Sequence, residues 1–318
     1  MPEKELTEKL VKVMREVRKT VPMGFSHRNQ NDFKGEVESL LCFQNTINDY
    51  GDINPYLSPD SLFLAAKEQI GTLGGGNHFC EIQKDKTGQL YIMVHSGSRN
   101  LGYNVCDIFN KQALSFCQKY YSPIPNKDLA FLPTDTREGV AYIHLMNICQ
   151  LFAELNREIM GKLIYEAFVS IFSSKDNPLY VFLSQKINVH HNYASLEHFY
   201  GKDCWIHRKG AICAREGMLG VIPGSMGTSS YIVKGKGNNK SWNSCSHGAG
   251  RTMSRKKARE TFTVDQFKEK MNGIVFHCDA EHIDESPMAY KNIDEVMEQQ
   301  KELVSIETEL KPLAAEKA

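Results

Sequence analysis

The sequence predicts a mixed α/β (α+β) protein built as one large domain over residues 1–318. Three observations carry that expectation. Leu90 to Val94 form a short apolar run that reads as a buried strand, with His95 at its C-terminal end. From Arg137 to about Phe172, apolar residues including Val140, Ile143, Ile148, Leu151, Leu155, Ile159 and Leu163 keep helical spacing. No internal repeat or composition shift marks a boundary, and 318 residues suit one large core or two smaller ones.

The elements follow in order. Leu6, Leu10, Val13 or Met14, and Val17 recur every three or four residues and predict an amphipathic helix that Pro22 and Gly24 end. A second apolar-periodic piece runs from about Gly35 to Asn48. Ser58-Pro59-Asp60 is a helix-start signal, and that helix feeds the stretch GTLGGGNHFCE, Gly71 to Glu81. After the strand come His95 and SGSRNLG; ligands collect outside the carboxyl ends of strands in open α/β sheets, so His95 is well placed for chemistry. The stretch PLYVFLSQKINVHHN predicts another strand region ending in His190, His191 and Asn192. Gly201 to Arg255 is rich in glycine, serine and basic residues and reads as too polar to be core. DESPMAYKNIDEVMEQQKEL reads as a turn and a helix.

Composition narrows the function classes. Hydrophobic residues make up 41% and the net charge is zero, so a nucleic-acid partner must be met by a local basic patch rather than by the overall field. Nine cysteines without a CxxC argue against a zinc ribbon or disulfide scaffold and fit a reducing, cytoplasmic setting. The charged N-terminus has no signal-peptide pattern, and no run of about 20 apolar residues predicts a membrane span.

Three histidines, His78, His95 and His191, follow glycine-rich or strand-like stretches, and His247 sits inside SHGAGR. Imidazoles from three segments can converge on a metal, or each can be a hydrogen-bonded turn residue; spacing leaves both readings open. PGSMGTSSY, Pro223 to Tyr231, can bind anions through backbone N–H groups and hydroxyls, but lacks the lysine of a P-loop. Arg251 and Arg255 share a face if their stretch is helical, and paired guanidinium forks suit phosphate. Arg99, Arg208 and Lys209 add cationic groups; the alternative is a set of solvated surface charges. The residues together suggest a phosphate-handling site and a candidate nucleophilic histidine, without naming a reaction.

GTLGGGNHFCEIQ, VHSGSRNLG, His191-Asn192, HRKGA, GSMGTSSY, SHGAGRTMSR, DESPMAYKNIDEV and the terminal LKPLAAEKA occur in the order that resembles the RtcB family of RNA-splicing ligases, from about residue 20 onward. The resemblance implies a central cleft ringed by strand-end histidines. It also implies joining of an RNA 2′,3′-cyclic phosphate or 3′-phosphate end to a 5′-hydroxyl end, with GTP and two manganese ions. His247 would be guanylylated. His78, His95 and His191 resemble the metal ligands. Asn77, Phe79, Glu81, Ser225, Ser230, Tyr290 and Lys317 match guanine-nucleotide contacts, and Arg99, Lys209, Arg251 and Arg255 match residues that face RNA phosphates. An archease-like activator and a monomeric state are further implications.

The family's earlier Asp/Cys metal-binding segment has no counterpart in residues 1–30, which hold no aspartate or cysteine. Three expectations follow: a chain N-terminally incomplete relative to the family, a homologue that binds RNA or guanine nucleotide without ligating, or local recruitment of Cys80 beside His78. A histidine-based metallohydrolase acting on phosphate esters uses the same residues but has no motif support.

Overall fold

The computed structural model describes residues 2–29, 32–38, 49–53, 58–173, 186–277 and 280–317 of a mixed α/β protein. They divide into two compact units: unit 1 of Met1–Val21, Gly75–His95 and Gly161–Ala318, and unit 2 of Pro22–Gly74 and Ser96–Met160. The segments interleave along the chain, so composition has no single boundary to mark.

Unit 1 begins with α1 (Glu3–Thr20), whose buried side chains are Leu10, Val13, Met14 and Val17, the predicted stripe. Each such side chain contributes about 1.5–3 kcal/mol when fully buried. A sheet follows in the order β2-β1-β10-β7-β6. Its strands are β1 (Phe79–Lys84), β2 (Leu90–His95), β6 (Leu219–Ile222), β7 (Ser230–Gly235) and β10 (Val304–Lys317). All these pairs are antiparallel; only β9 (Val275–Phe276) lies parallel, against Ala314 and Ala315 of β10. His95 ends its strand as expected, yet in an antiparallel sheet, so the parallel-sheet rule is not what places it.

Two smaller ribbons complete the strands of unit 1: β3 (Asn192–Phe199) with β4 (Lys202–Lys209), and β5 (Ala211–Cys213) with β8 (Ser244–Ser246). Helices α6 (Arg255–Thr261), α7 (Val264–Lys270) and α8 (Ile293–Gln299) are short. The reading of Gly201–Arg255 as too polar for core is corrected: Ile212, Ile222, Tyr231, Val233 and Cys245 from that stretch are buried together with Ile293 and Met297. The strands there bury at most two apolar side chains each, too few to raise a local average. The strand region expected ahead of His191 falls partly on residues 178–185, outside the described residues; 186–190 are not strand, and β3 starts after His191.

Unit 2 is helical. It contains α2 (Lys34–Glu38), α3 (Pro59–Gln69), α4 (Arg99–Lys119) and the first two thirds of α5 (Arg137–Phe172), the long predicted helix. The rest of the piece expected at Gly35–Asn48 lies outside the described residues. The sequence reading missed α4, although Leu101, Val105, Phe109, Ala113 and Cys117 recur every fourth residue and are all buried. Buried Asn156 of α5 ties the unit's loops together. It accepts from the Thr72 N–H at 3.1 Å and donates to the Thr72 carbonyl at 3.2 Å and Ser96 Oγ at 3.2 Å. Among the described residues no helix is long and apolar enough to cross a membrane.

Candidate active site

Strand register builds one row of the site. Phe79 pairs with His95 on β2 and with Lys317 on β10, so the three side chains share a sheet face. The Phe79 ring stacks on His95 with centroids 5.3 Å apart, and Lys317 Nζ lies 5.7 Å from the Phe79 centroid. Cys80 points to the opposite face with Glu316 and is fully buried, and burial pushes its thiol pKa up. Local recruitment of Cys80 as a metal ligand is therefore corrected: it packs as a small apolar residue.

Two residues along the same face from Phe79 lies buried Glu81. Burial raises its carboxyl to about 8, against opposing effects from the Gln83 hydrogen bond and the Lys317 charge. The Gln83 amide donates to Glu81 and, at 3.2 Å, to Ser230 Oγ, which also accepts from the Gly224 N–H at 3.3 Å. Ser225 closes the same turn: its N–H donates to Thr228 Oγ1 at 2.7 Å. The serine-rich loop is thus linked to the glutamate on β1. Asn77 is exposed in the glycine turn before β1.

The histidines gather around His95. Ring centroids separate His78 from His95 by 5.9 Å, His95 from His191 by 5.0 Å and His191 from His247 by 4.7 Å. Burial lowers the His95 pKa well below the usual imidazole value, and the neighbouring imidazoles and Lys317 lower it further. These donors suit a divalent transition metal in chemistry. Among the described residues, however, no group of three or more His, Cys, Asp or Glu side chains is arranged to hold a metal ion. His78, His95 and His191 are the residues that would hold such an ion.

Gly210 positions His247. It follows β4, where Asn192 pairs with Lys209, and precedes β5, where Ala211 pairs with Ser246. Its N–H donates to the His191 carbonyl at 2.9 Å, and its own carbonyl accepts from His247 Nδ1 at 2.7 Å. A carbonyl only accepts, so Nδ1 carries the proton and a neutral ring presents the Nε2 lone pair. Burial lowers the His247 pKa and the charge of Lys209 adds to this, while the Gly210 bond opposes them. Gly210 has φ +67°, and a Cβ there would sit 3.3 Å from His247 Cε1. Nothing in the motif HRKGA signals this role of its glycine, because His247 is distant in sequence.

Glu285 was missed outright. It is 4% exposed and collects three cations and a tyrosine hydroxyl. Lys317 Nζ donates to Oε2 at 2.8 Å, and the Tyr290 hydroxyl donates to the same oxygen. Arg251 Nη1 donates to Oε1 at 3.2 Å, and Arg255 Nη2 lies 3.4 Å from the same oxygen. Neighbouring Asp284 binds Arg259 through Oδ1 at 3.2 Å and offers its carbonyl to Arg251 Nη2 at 2.6 Å. The helical face expected for Arg251 and Arg255 is corrected: Arg251 forms a β-bridge with Tyr290, and Arg255 is the first residue of α6. The two arginines meet on a carboxylate instead. No local pattern in DESPMAY signals this, because all partners except Tyr290 are distant in sequence.

Lys209 is exposed at the end of β4. Arg208, offered by the sequence as a further cation for the site, points inward instead and is 2% exposed. Arg99 belongs to unit 2, where it donates to Thr72 Oγ1 at 3.2 Å and lies where a Cβ on Gly74 would be.

Fold and site together define an α/β protein with a histidine-centred site, one imidazole being held in a single tautomer by a backbone carbonyl. The chain belongs to the RtcB family: the family model described as tRNA-splicing ligase RtcB matches residues 1–318. It is 43% identical to the RNA-splicing ligase RtcB of Escherichia coli (strain K12) over 239 residues, covering 75% of this chain and 59% of that protein. It is 30% identical to the tRNA-splicing ligase RtcB of Methanococcus maripaludis over 348 residues, covering 92% and 72%. For the protein of that name from Aeropyrum pernix the figures are 34% over 265 residues, 72% and 55%. The chain thus spans 59% of the length of the Escherichia coli relative.

Proposed function

We propose that this chain is a GTP-dependent RNA ligase that joins a 3′-phosphate or 2′,3′-cyclic phosphate end to a 5′-hydroxyl end through guanylylated His247. The observation that carries the reading is the Gly210 carbonyl on His247 Nδ1, which leaves Nε2 as the nucleophile. Nε2 would attack the α-phosphorus of GTP, forming a P–N bond as pyrophosphate leaves. An oxygen of the RNA 3′-phosphate would then take the GMP group and release the imidazole. The 5′-hydroxyl oxygen would attack the RNA 3′-phosphorus, expelling GMP and closing the phosphodiester. A cyclic end would first be opened by water.

The other residues have roles in this scheme. Phe79, Glu81, Ser225, Ser230, Tyr290 and Lys317 would line the guanine nucleotide, with Asn77 at the turn beside them. Lys209, Arg251 and Arg255 would offset phosphate charge, with Arg99 as a further phosphate contact. Manganese, implied by the resemblance, would find imidazole donors at His78, His95 and His191, and would offset charge on phosphate oxygens when bound. An archease-like activator, a monomeric state and a cytoplasmic location complete the proposal.

A second reading is a homologue that binds RNA or guanine nucleotide without ligating. One experiment separates the two. The protein is incubated with GTP labelled at the α-phosphate, with and without manganese. Covalent label that is lost in His247→Ala and passes to 3′-phosphorylated RNA supports ligation. Folded protein that takes no label, yet binds GTP or RNA, is the binding homologue.

A further inference from the structure

The β3–β4 ribbon has one end at the site and the other at an aromatic cluster that the proposed reaction does not use. Asn192 and Lys209 stand at the site end, and Phe199 and Lys202 at the far end. Eight strand residues span about 26 Å. At the far end Phe199 and Trp242 have ring centroids 5.1 Å apart, and Tyr200 and Trp242 5.7 Å apart at 89°. Tyr200 is 69% exposed and Trp242 41% exposed, a large aromatic surface to leave in water.

The cluster is built. Tyr200, Trp242 and Asn243 all have positive φ, at 51°, 55° and 48°, which non-glycine residues adopt at a cost. The Tyr200 hydroxyl donates to the Asn239 carbonyl at 3.1 Å, and the Trp242 carbonyl accepts from Arg208 Nη2 at 3.0 Å. Arg208 is itself fixed by Glu197. The loop beside the cluster is cationic. The loop KGKGNNKSW, 234–242, has three lysines and no acid, and Lys202 follows Tyr200 and Gly201 in the ribbon turn. Asp203, the acid beside Lys202, lies 2.8 Å from His198, and Glu216 packs against Gly237 on the loop.

We propose that Tyr200 and Trp242, flanked by Lys202 and Lys240, form a stacking platform for single-stranded RNA at the far end of the β3–β4 ribbon. Exposed aromatic faces stack on any base, and lysines track the backbone, so the platform takes unpaired RNA without regard to sequence. The proposal rests on the reading of RNA as substrate, and adds to it a hold on the strand away from the reacting end.

Trp242 reports on the platform directly. In the Trp205→Phe protein it is the remaining indole of two. An oligouridylate of about 12 nucleotides, with either a 3′-phosphate or a 3′-hydroxyl, is expected to quench its fluorescence, and an RNA duplex of equal length is not. In otherwise native protein, Trp242→Ala and Tyr200→Ala are each expected to weaken oligouridylate binding roughly 5- to 100-fold, while Trp242→Phe and Tyr200→Phe retain it. Tyr200 is exposed enough that its alanine variant keeps the test available if Trp242→Ala fails to fold. Alanine variants that bind as the parent does, or a duplex that competes equally, would overturn the platform. If His247 labels normally while the alanine variants are neutral, the platform alone fails. If nothing labels yet the alanine variants bind weakly, the ligase reading fails and the platform stands.

Discussion

Glu197 and Glu285 are both buried carboxylates of unit 1, and each holds arginine, yet they are built to opposite ends. Glu197 faces Arg208, whose donors are taken up by Glu197, Ser244 Oγ, Ser195 Oγ, Tyr193 Oη and the Trp242 carbonyl. Burial opposes ionisation of Glu197, but hydrogen bonds from Arg208, Ser195 and Arg215 outweigh it and hold the carboxyl at about 2. Glu285 instead shares itself among Lys317, Tyr290, Arg251 and Arg255, and the last of these is 43% exposed. Both networks reach solvent through an arginine, Arg215 at 57% and Arg255 at 43% exposed, but Glu197 is centred on one buried guanidinium whose donors end on internal acceptors, whereas Glu285 divides itself among four donors. The same residue types differ in role when one buried cation spends its donors on internal acceptors and when one carboxylate gathers donors from several side chains.

The Arg208 pair offers the largest effect. Arg208→Ala leaves Glu197 buried without its partner and is expected to cost about 3–5 kcal/mol in urea unfolding. In the parent protein the Glu197 contribution is present above its ordinary pKa and lost as pH falls toward 2, because the folded state depresses it. A stability unchanged by Arg208→Ala would break the contrast. The Glu285 network predicts a different signature. Glu285→Gln frees Lys317, Tyr290 and the arginines while removing no strand pairing. It is expected to raise the KM of His247 labelling for GTP roughly 10- to 100-fold, with a smaller fall in kcat and partial rescue by Glu285→Asp. Loss of stability equal to that of Arg208→Ala, with KM unchanged, would make Glu285 scaffold after all.

A third buried carboxylate sharpens the comparison. Glu81 has no such cation partner, and burial raises it to about 8 from the usual 4.5. The folded state holds this proton more tightly than the unfolded chain. Its contribution to stability is therefore full below about 4.5 and is lost as pH rises through 8. Glu81→Gln should flatten that decline by at most about 1.4 kcal/mol for each pH unit, read from urea midpoints across the window. Parallel pH profiles for the two proteins would remove the assigned shift.

Much of this was legible in the sequence, and the limits have physical causes. Helical spacing gave α1 and α5, and Leu90–Val94 gave β2 with His95 at its end. The glycine and SHGAGR motifs carried the histidines that the fold brings together. The strand β10 was not legible, because Pro312 lacks the donor a central strand needs. The fold accommodates it where the β1–β10 register shifts, between Ile82 and Gln83. Glu285 was not legible either, since a carboxylate in a turn acquires Lys317 and Arg251 as partners only through tertiary structure.

Gly210 has a consequence for how the site tolerates change. The proton on His247 Nδ1 is placed by a main-chain carbonyl rather than by an acidic side chain. Substituting a residue cannot delete a carbonyl oxygen. The orientation of His247 is thereby shielded from drift at any partner codon, and it shifts only when the path of the chain between β4 and β5 shifts. Variants that turn His247 should accordingly be found among changes to backbone geometry, with Gly210 itself the most exposed position.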